Sequence, residues 1–254
     1  MVRLWKALPL TLALVALVAL VALSIATSSC SSGGTAQVRV INAIPDASSA
    51  LDIEFNTSKV NSSPIAFDSV YPPAATPANY FGVSTGADTI EVLLTGTTKN
   101  PIIESSSESL TGGDYYTVVL AGFVNSPAAA YLISDNNLGL TSGTVKYRVI
   151  NASAASIAQY ANGFDIYILP QGQGIHGIPQ ISGLTLGQAG PGYLTFNYAA
   201  EYTVWVTQNK STLPLFSNTL TPNNPQITTL VIVDESTPNG FMVSPNMLTL
   251  IDQQ

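Results

Sequence analysis

The chain has 254 residues, of which 46% are hydrophobic and only 9% are charged, whereas soluble domains usually have about 25% charged residues. The formal net charge is −7 and no basic run is present, which argues against a protein that grips nucleic acid through its phosphates. The apolar residues are too frequent for a disordered chain. Because Cys30 is the only cysteine, an internal disulfide and a cysteine-cluster metal site are both excluded.

The first residues have the order of a bacterial export signal. Two bases within the first six residues precede an apolar stretch over residues 7–26, and small residues then lead to Cys30. This arrangement resembles a lipobox, in which the cysteine thiol is acylated and becomes the first residue of the mature protein. The sequence therefore predicts a lipoprotein signal peptide over residues 1–29.

Two alternatives for the leader remain open. Thr27 stands where a lipobox usually has an aliphatic residue, and the apolar stretch exceeds the roughly 7–15 residues of a typical signal peptide. Cleavage after Ala26 would give a soluble secreted protein, and an uncleaved leader of about 20 apolar residues would span a bilayer. We favour lipid attachment at Cys30, because it accounts for the single cysteine and for a flexible Ser/Gly tether over residues 30–36.

Segments of the remaining chain recur in the same order roughly 110 residues later, a spacing that matches a domain rather than a solenoid repeat. Residues 38–43 (VRVINA) correspond to residues 147–152 (YRVINA), and residues 51–55 (LDIEF) correspond to residues 164–168 (FDIYI). This repetition predicts a duplicated domain. The predicted parts are module 1 over residues 37–137, a linker over residues 138–143, and module 2 over residues 144–254.

Each copy has the pattern of short strands. Its apolar segments are rich in Val, Ile, Tyr and Thr, often alternate with polar residues, and are separated by Gly and Pro positions that reverse the chain. No segment after the leader keeps the 3.6-residue period of an amphipathic helix. These patterns predict an all-β chain with two tandem antiparallel β-sandwich domains of the immunoglobulin or transthyretin type. Because the linker is short, we expect the two modules to stack end to end.

The opening of the repeat is similar to a known bacterial family. Residues 38–47 (VRVINAIPDA), residues 51–53 (LDI) and residues 110–118 (LTGGDYYTV) resemble the family called domain of unknown function 4397. The resemblance implies an exported β-sandwich, often in cell-surface proteins, and brings no catalytic residues with it. The second copy departs from the family pattern, because Ala154 and Ala155 stand where the family has Pro-Asp.

Matching charges in the two copies are the strongest candidates for a structural site. Arg39 corresponds to Arg148, and Asp52 corresponds to Asp165. Since charges are rare in this chain, we predict one ion pair within each module, Arg39 with Asp52 and Arg148 with Asp165. The planar guanidinium suits this role because it meets a carboxylate at two points. Such pairs would fix strand register, and a ligand-binding ion pair is the functional alternative.

Other residues that could carry chemistry lack the partners that the chemistry needs. His176 is the only histidine and lies on a Gly-rich loop, so a catalytic triad or a zinc site has little support. Glu104 and Glu108 lie in a serine-rich stretch, which indicates a solvated segment rather than a glycosidase pair. Acidic loop residues without the spacing of a calcium loop are Asp46, Asp68, Asp88 and Asp114. Aromatic residues that would suit a sugar platform, but that are more often half-buried on strands, are Tyr71, Tyr80, Tyr160 and Trp205.

The sequence thus predicts a non-enzymatic lipoprotein of the cell envelope, with β-sandwich modules that are structural or that bind an envelope protein or a glycan. No cofactor, metal or nucleic acid is expected, and the lipid on Cys30 is the expected attachment to the membrane. In a Gram-negative organism Ser31, rather than Asp, after the cysteine favours the outer membrane. The alternative is an envelope enzyme or an enzyme accessory domain. A pocket of converging polar groups near Asp165 or His176 would favour that alternative.

Overall fold

The computed structural model describes residues 34–73, 80–98, 100–124, 126–135, 139–235 and 245–253. The predicted signal peptide, Cys30 and most of the tether lie outside these residues. Within them the chain forms strands and one four-residue helix, α1 (Ala155–Ala158), so the expected all-β fold is confirmed. No helix in this described part of the chain is both long and apolar enough to cross a membrane.

The strands of residues 35–135, called here the first half, form two sheets. They are β1 (Thr35–Ala43), β2 (Leu51–Phe55), β3 (Ser58–Lys59), β4 (Ser69–Tyr71), β5 (Phe81–Ser84), β6 (Ala87–Leu94), β7 (Ile103–Ser109), β8 (Tyr115–Phe123) and β9 (Ser126–Asp135). Sheet A has the order β4-β1-β8-β9, with β5 also paired to β1, and sheet B has the order β3-β2-β6-β7.

The strands of residues 144–253, called here the second half, form two further sheets. They are β10 (Thr144–Asn151), β11 (Phe164–Pro170), β12 (Ile181–Leu184), β13 (Leu194–Asn197), β14 (Tyr202–Gln208), β15 (Pro214–Leu220), β16 (Gln226–Asp234) and β17 (Pro245–Gln253). Sheet C has the order β13-β10-β16-β17, and sheet D has the order β12-β11-β14-β15. Corresponding strands therefore occupy corresponding places in the two halves.

Two central strand pairs run parallel. In sheet A, β1 pairs with β8 in parallel, and in sheet C, β10 pairs with β16 in parallel. The described pairs of sheets B and D are antiparallel, as expected from the sequence. Parallel strands are usually covered on both faces. The strands β1, β8, β10 and β16 are indeed buried along most of their length.

Three apolar cores lie between the four sheets. One core fills the space between sheets A and B, and a second fills the space between sheets C and D. A third core joins sheet A to sheet C, with Ile41 and Val119 from the first half against Ile150 and Val231 from the second half. The sheets thus form four layers in the order B-A-C-D. The expectation of end-to-end stacking is wrong, because the halves pack face to face within one compact unit.

The alternating pattern of β1 explains how one strand serves two cores. Val38 and Val40 point into the core shared with sheet B, while Ile41 and Ala43 point into the core shared with sheet C. Arg39 lies on the same face as Ile41, and it is 1% exposed. In the sequence, the alternation of Arg39 with valines indicates a solvated face. In the structure, Arg39 is buried against the other half of the chain.

The repeated Ile-Asn-Ala segment has the same structural role in both halves. Asn42 donates its side-chain amide to the carbonyl of Ile65 at 3.0 Å, and Asn151 donates to the carbonyl of Leu184 at 2.9 Å. Both asparagines also accept a backbone N–H two residues later in the chain. Because both amides are fully buried, these bonds fix the strand end where the chain leaves each inner sheet.

Candidate functional site

Four buried charged side chains meet in the layer between sheets A and C, and we call them the charge cluster. Its members are Arg39 on β1, Asp135 at the end of β9, Arg148 on β10 and Asp252 on β17. Each is less than one-tenth exposed. The two halves each contribute one arginine and one aspartate, so the formal charges of the cluster sum to zero.

The ion pairs of the charge cluster cross from one half to the other. Arg39 Nη1 lies 2.6 Å from Asp252 Oδ1, and Arg148 Nη2 lies 2.6 Å from Asp135 Oδ1. A longer contact of 3.5 Å joins Arg39 Nη2 to Asp135 Oδ2 within the first half. A buried charge is costly unless it is paired. Each arginine can therefore be buried at low cost only when the other half supplies its aspartate.

Two threonine hydroxyls add hydrogen bonds to the charge cluster. Thr117 on β8 accepts from Arg39 Nε at 2.8 Å and donates to Asp135 at 2.7 Å. Thr229 on β16 accepts from Arg148 Nη2 at 2.9 Å and donates to Asp252 at 2.6 Å. A hydroxyl suits this position because it both accepts and donates a hydrogen bond.

Two tyrosines close the charge cluster on its outer side. Tyr80 donates its hydroxyl to Asp135 at 2.8 Å, and Tyr193 donates to Asp252 at 3.2 Å. Each ring also faces the arginine of its own half, with centroid distances of 5.2 and 5.1 Å. Burial raises the pKa of both phenols well above the ordinary value, and the nearby carboxylates raise it further. The tyrosines therefore stay protonated and act as donors.

The charge cluster joins the two halves through charged side chains that stay ionised. Burial alone would lower the pKa of Arg39, but Asp252 and Asp135 raise it well above the ordinary value. The guanidinium thus remains charged and cannot act as a proton donor or acceptor in a reaction. The cluster fixes the position of sheet A on sheet C.

The structure pairs the predicted residues differently from the prediction. Arg39 and Arg148 bind carboxylates of the opposite half, whereas Asp52 contacts Lys59 Nζ at 2.8 Å. The reason is the alternation of side chains along β2, where Leu51 and Ile53 point into the core and Asp52 points away from it. Arg39 lies on the far side of sheet A, so a whole layer separates it from Asp52.

Asp165 on β11 has a different structural role, because it joins β12 to the turn after β14. Its carboxylate accepts hydrogen bonds from the Ser182 hydroxyl at 2.8 Å and the Gly183 N–H at 2.9 Å. It also accepts from the Asn209 amide at 3.0 Å and from the Lys210 N–H at 2.8 Å. This carboxylate is buried and has four donors, so it stabilises β12 and the turn after β14 at one end of sheet D.

The remaining sequence candidates stay apart from one another. His176 is exposed, with Nδ1 2.7 Å from the carbonyl oxygen of Gly174, and Glu104 lies exposed on β7. Tyr160 packs on Phe164, and Trp205 is half-buried opposite Tyr167. The described residues contain no group of three or more His, Cys, Asp or Glu side chains placed to hold a metal ion.

In each half a carboxylate accepts hydrogen bonds at the turn after the first strand. In the first half the carboxylate belongs to the turn itself, and in the second half it belongs to another strand. In the first half, Asp46 of the turn accepts the N–H of Val124 at 2.9 Å. In the second half, Asp234 at the end of β16 accepts from the Ala154 N–H at 2.6 Å and the Ser153 hydroxyl at 2.5 Å. The loss of Pro-Asp from the second copy is therefore compensated by Asp234.

Asp234 gives an expected pH dependence of stability. Burial raises its pKa above the ordinary value of 3.8, and the hydrogen bonds from Ser153 and Ala154 offset only part of this rise. The folded protein therefore binds this proton more tightly than the unfolded chain does. The stability it contributes is full below pH 3.8 and is lost as the pH rises through the folded pKa.

The Asp234→Asn variant, which cannot titrate, tests this dependence. We expect the free energy of unfolding of the wild type, minus that of the variant, to fall as the pH rises above 3.8 and to level off above the folded pKa of Asp234. Urea denaturation at a series of pH values measures the difference. A difference that stays flat or rises over this window would show that the folded pKa of Asp234 is not raised.

The sequence analysis does not identify two members of the charge cluster, Asp135 and Asp252, or their hydrogen-bond partners Thr117 and Thr229. A signal for all four was present in the repeat. The threonines occupy matching positions in β8 and β16, and both aspartates lie at the end of the last strand of their half. Tyr80, named above as a candidate sugar platform or a half-buried residue, is half-buried, and its hydroxyl binds Asp135.

Comparison with protein families finds a match over residues 36–160 to the family described as domain of unknown function, DUF4397. This range contains the first half except Thr35, together with β10 and α1. Comparison with curated proteins finds no match. Residues 36–160 are thus recognised as a DUF4397 domain, in agreement with the resemblance carried by residues 38–47.

Proposed function

We propose that this chain is a non-enzymatic lipoprotein of the cell envelope, in which two β-sandwich modules form one rigid unit on a lipid attached to Cys30. The charge cluster is the observation that supports a rigid connection between the two modules. The leader and the tether of residues 30–36 support the lipid attachment. The unit serves as a structural element of the envelope or presents a binding surface there.

The contact between the halves favours a rigid body over two mobile modules. Domains within one chain usually move relative to each other unless their interface is large and hydrophobic. Here ten buried residues form the core between sheets A and C, and the crossed ion pairs lie beside it. A rigid body of this kind suits a spacer or a scaffold at the cell surface.

We also propose that the second half is a second copy of the DUF4397 domain. Its sheets have the strand orders of the first half, with the same parallel central pair. Asn42 and Asn151 make the same bonds, and Arg39 and Arg148 make equivalent ion pairs. Duplication of a domain that pairs face to face accounts for these correspondences.

Intact mass of the full chain, expressed in a bacterial host, tests the lipid attachment. We expect the wild type to begin at Cys30 and to carry the mass of a diacylglyceryl group, and we expect Cys30→Ala to carry none and to keep its leader. The Ser32→Ala variant is the matched control, because it changes a neighbouring small residue and leaves the cysteine. A wild type without lipid, or one cleaved after Ala26, would contradict the proposal.

A further inference from the structure

A half-open cleft of about 370 Å³ lies where the two halves meet, beside the charge cluster. Ser134 of the first half forms one wall, and Lys146, Arg148, Tyr193 and Thr195 of the second half form much of the rest. Its volume falls within the roughly 300–1,000 Å³ of small-molecule sites. The cleft is therefore large enough for a small organic ligand.

The charge of the cleft is opposite to that of the chain. The chain has 15 acidic residues and 8 Lys and Arg residues, yet the described residues that line the cleft include two bases and no carboxylate. Arg148 is paired with Asp135, so the net positive charge of the cleft comes from Lys146. Lys146 Nζ donates to the carbonyl of Gly139 at 3.1 Å in an exposed bond. Its other two donors remain for a ligand.

Arg148 is held in place before any ligand arrives. Asp135, Thr229 and the carbonyl of Ser134 accept from its terminal nitrogens, and the ring of Tyr193 faces its guanidinium. Its Nε, however, is buried without a hydrogen-bond partner among the described residues. An oxyanion seated beside Tyr193 would offer the missing acceptor.

We propose that this cleft binds an acidic sugar, with Lys146 and Arg148 holding its carboxylate or phosphate and Tyr193 contacting its ring. The apolar part of the lining, Ile133 and Ala189, gives the rest of the ligand a surface to pack on. Ser134 and Thr195 offer hydroxyls for sugar hydroxyl groups. The inference goes beyond the proposed function and holds whether or not Cys30 is acylated.

Isothermal titration calorimetry of the detergent-solubilised full chain tests this inference. The probes are D-glucuronate and glucose 1-phosphate as acidic sugars, D-glucose as the neutral sugar and inorganic phosphate as the bare anion. We expect at least one acidic sugar to bind at least tenfold more tightly than glucose and phosphate. Lys146→Gln should weaken that binding about tenfold, through loss of one charge-assisted hydrogen bond.

Two further variants make the outcome decisive. Lys210→Gln removes the same charge from an exposed residue outside the cleft lining, and it should bind as the wild type does. Thr195→Trp fills the cleft from an exposed strand position and should abolish binding without removing a charge. The inference is overturned if neither acidic sugar binds, if glucose or phosphate binds as tightly, or if Lys146→Gln binds with unchanged affinity.

Discussion

Replacing Asp135 by alanine is expected to lower the free energy of unfolding by about 3–5 kcal/mol, the usual cost of removing one partner from a buried ion pair. Asp135 contacts Arg148 at 2.6 Å and Arg39 at 3.5 Å, and it accepts from Thr117 and Tyr80. Its removal leaves two buried guanidinium groups with only Asp252 to neutralise them. The loss is a large part of the roughly 5–15 kcal/mol that stabilises a typical domain.

Urea denaturation followed by circular dichroism measures the effect of Asp135→Ala. The matched control is Asp114→Ala, which removes an exposed carboxylate from the turn before β8 and should change stability by no more than about 0.5 kcal/mol. A loss below about 1 kcal/mol for Asp135→Ala would mean that the charge cluster is open to water and contributes as a surface ion pair does.

Asp165→Ala is expected to cost about 3 kcal/mol or more, because it leaves several donors without an acceptor. A hydrogen bond to a charged group contributes about 1.5–3 kcal/mol, and four part-buried hydrogen bonds reach this carboxylate. The backbone N–H groups of Gly183 and Lys210 both depend on this carboxylate, as does the side chain of Asn209. We therefore expect β12 and the turn after β14 to loosen together.

Asp52→Ala is the matched comparison, because it removes the carboxylate at the corresponding position of the first half. Asp52 mainly binds Lys59, whose side chain is 45% exposed, so we expect a loss of no more than about 1 kcal/mol. Asn61, its other partner, keeps its bonds to the carbonyls of Leu51 and Ser63. Equal losses for the two variants in urea denaturation would contradict the roles described here.

The strands and their apolar faces were predictable from local sequence. Segments such as residues 38–43 have the alternation and the residue types of strands, and the structure confirms β1 there. The continuous apolar run Val118–Val119–Leu120 also indicates burial on both faces of β8. What local sequence does not indicate is whether neighbouring strands run parallel, because both arrangements bury the same residues.

The layering of the halves could not be read from the pattern of β1 alone. Arg39 alternates with valines, and such a pattern normally indicates one solvated face. Its burial depends on residues of the second half, which lie up to 213 positions away in the chain. This distance explains why the predicted partner of Arg39 differs from the observed one. Asp135, the partner of Arg148, lies only 13 positions away but belongs to the other half. Matching positions identify equivalent residues, but in a face-to-face pair each residue meets the partner supplied by the other copy.

A double-mutant cycle on Arg39 and Asp252 tests the central claim most directly, since these residues belong to different halves and their side chains lie 2.6 Å apart. The stabilities of wild type, Arg39→Ala, Asp252→Ala and the double variant are compared by urea denaturation. Crossed ion pairs between the halves predict a coupling energy of about 1–3 kcal/mol. If the losses of stability in the two single variants add up to that of the double variant within about 0.5 kcal/mol, the two side chains do not interact. That result would contradict the ion pair between the two halves.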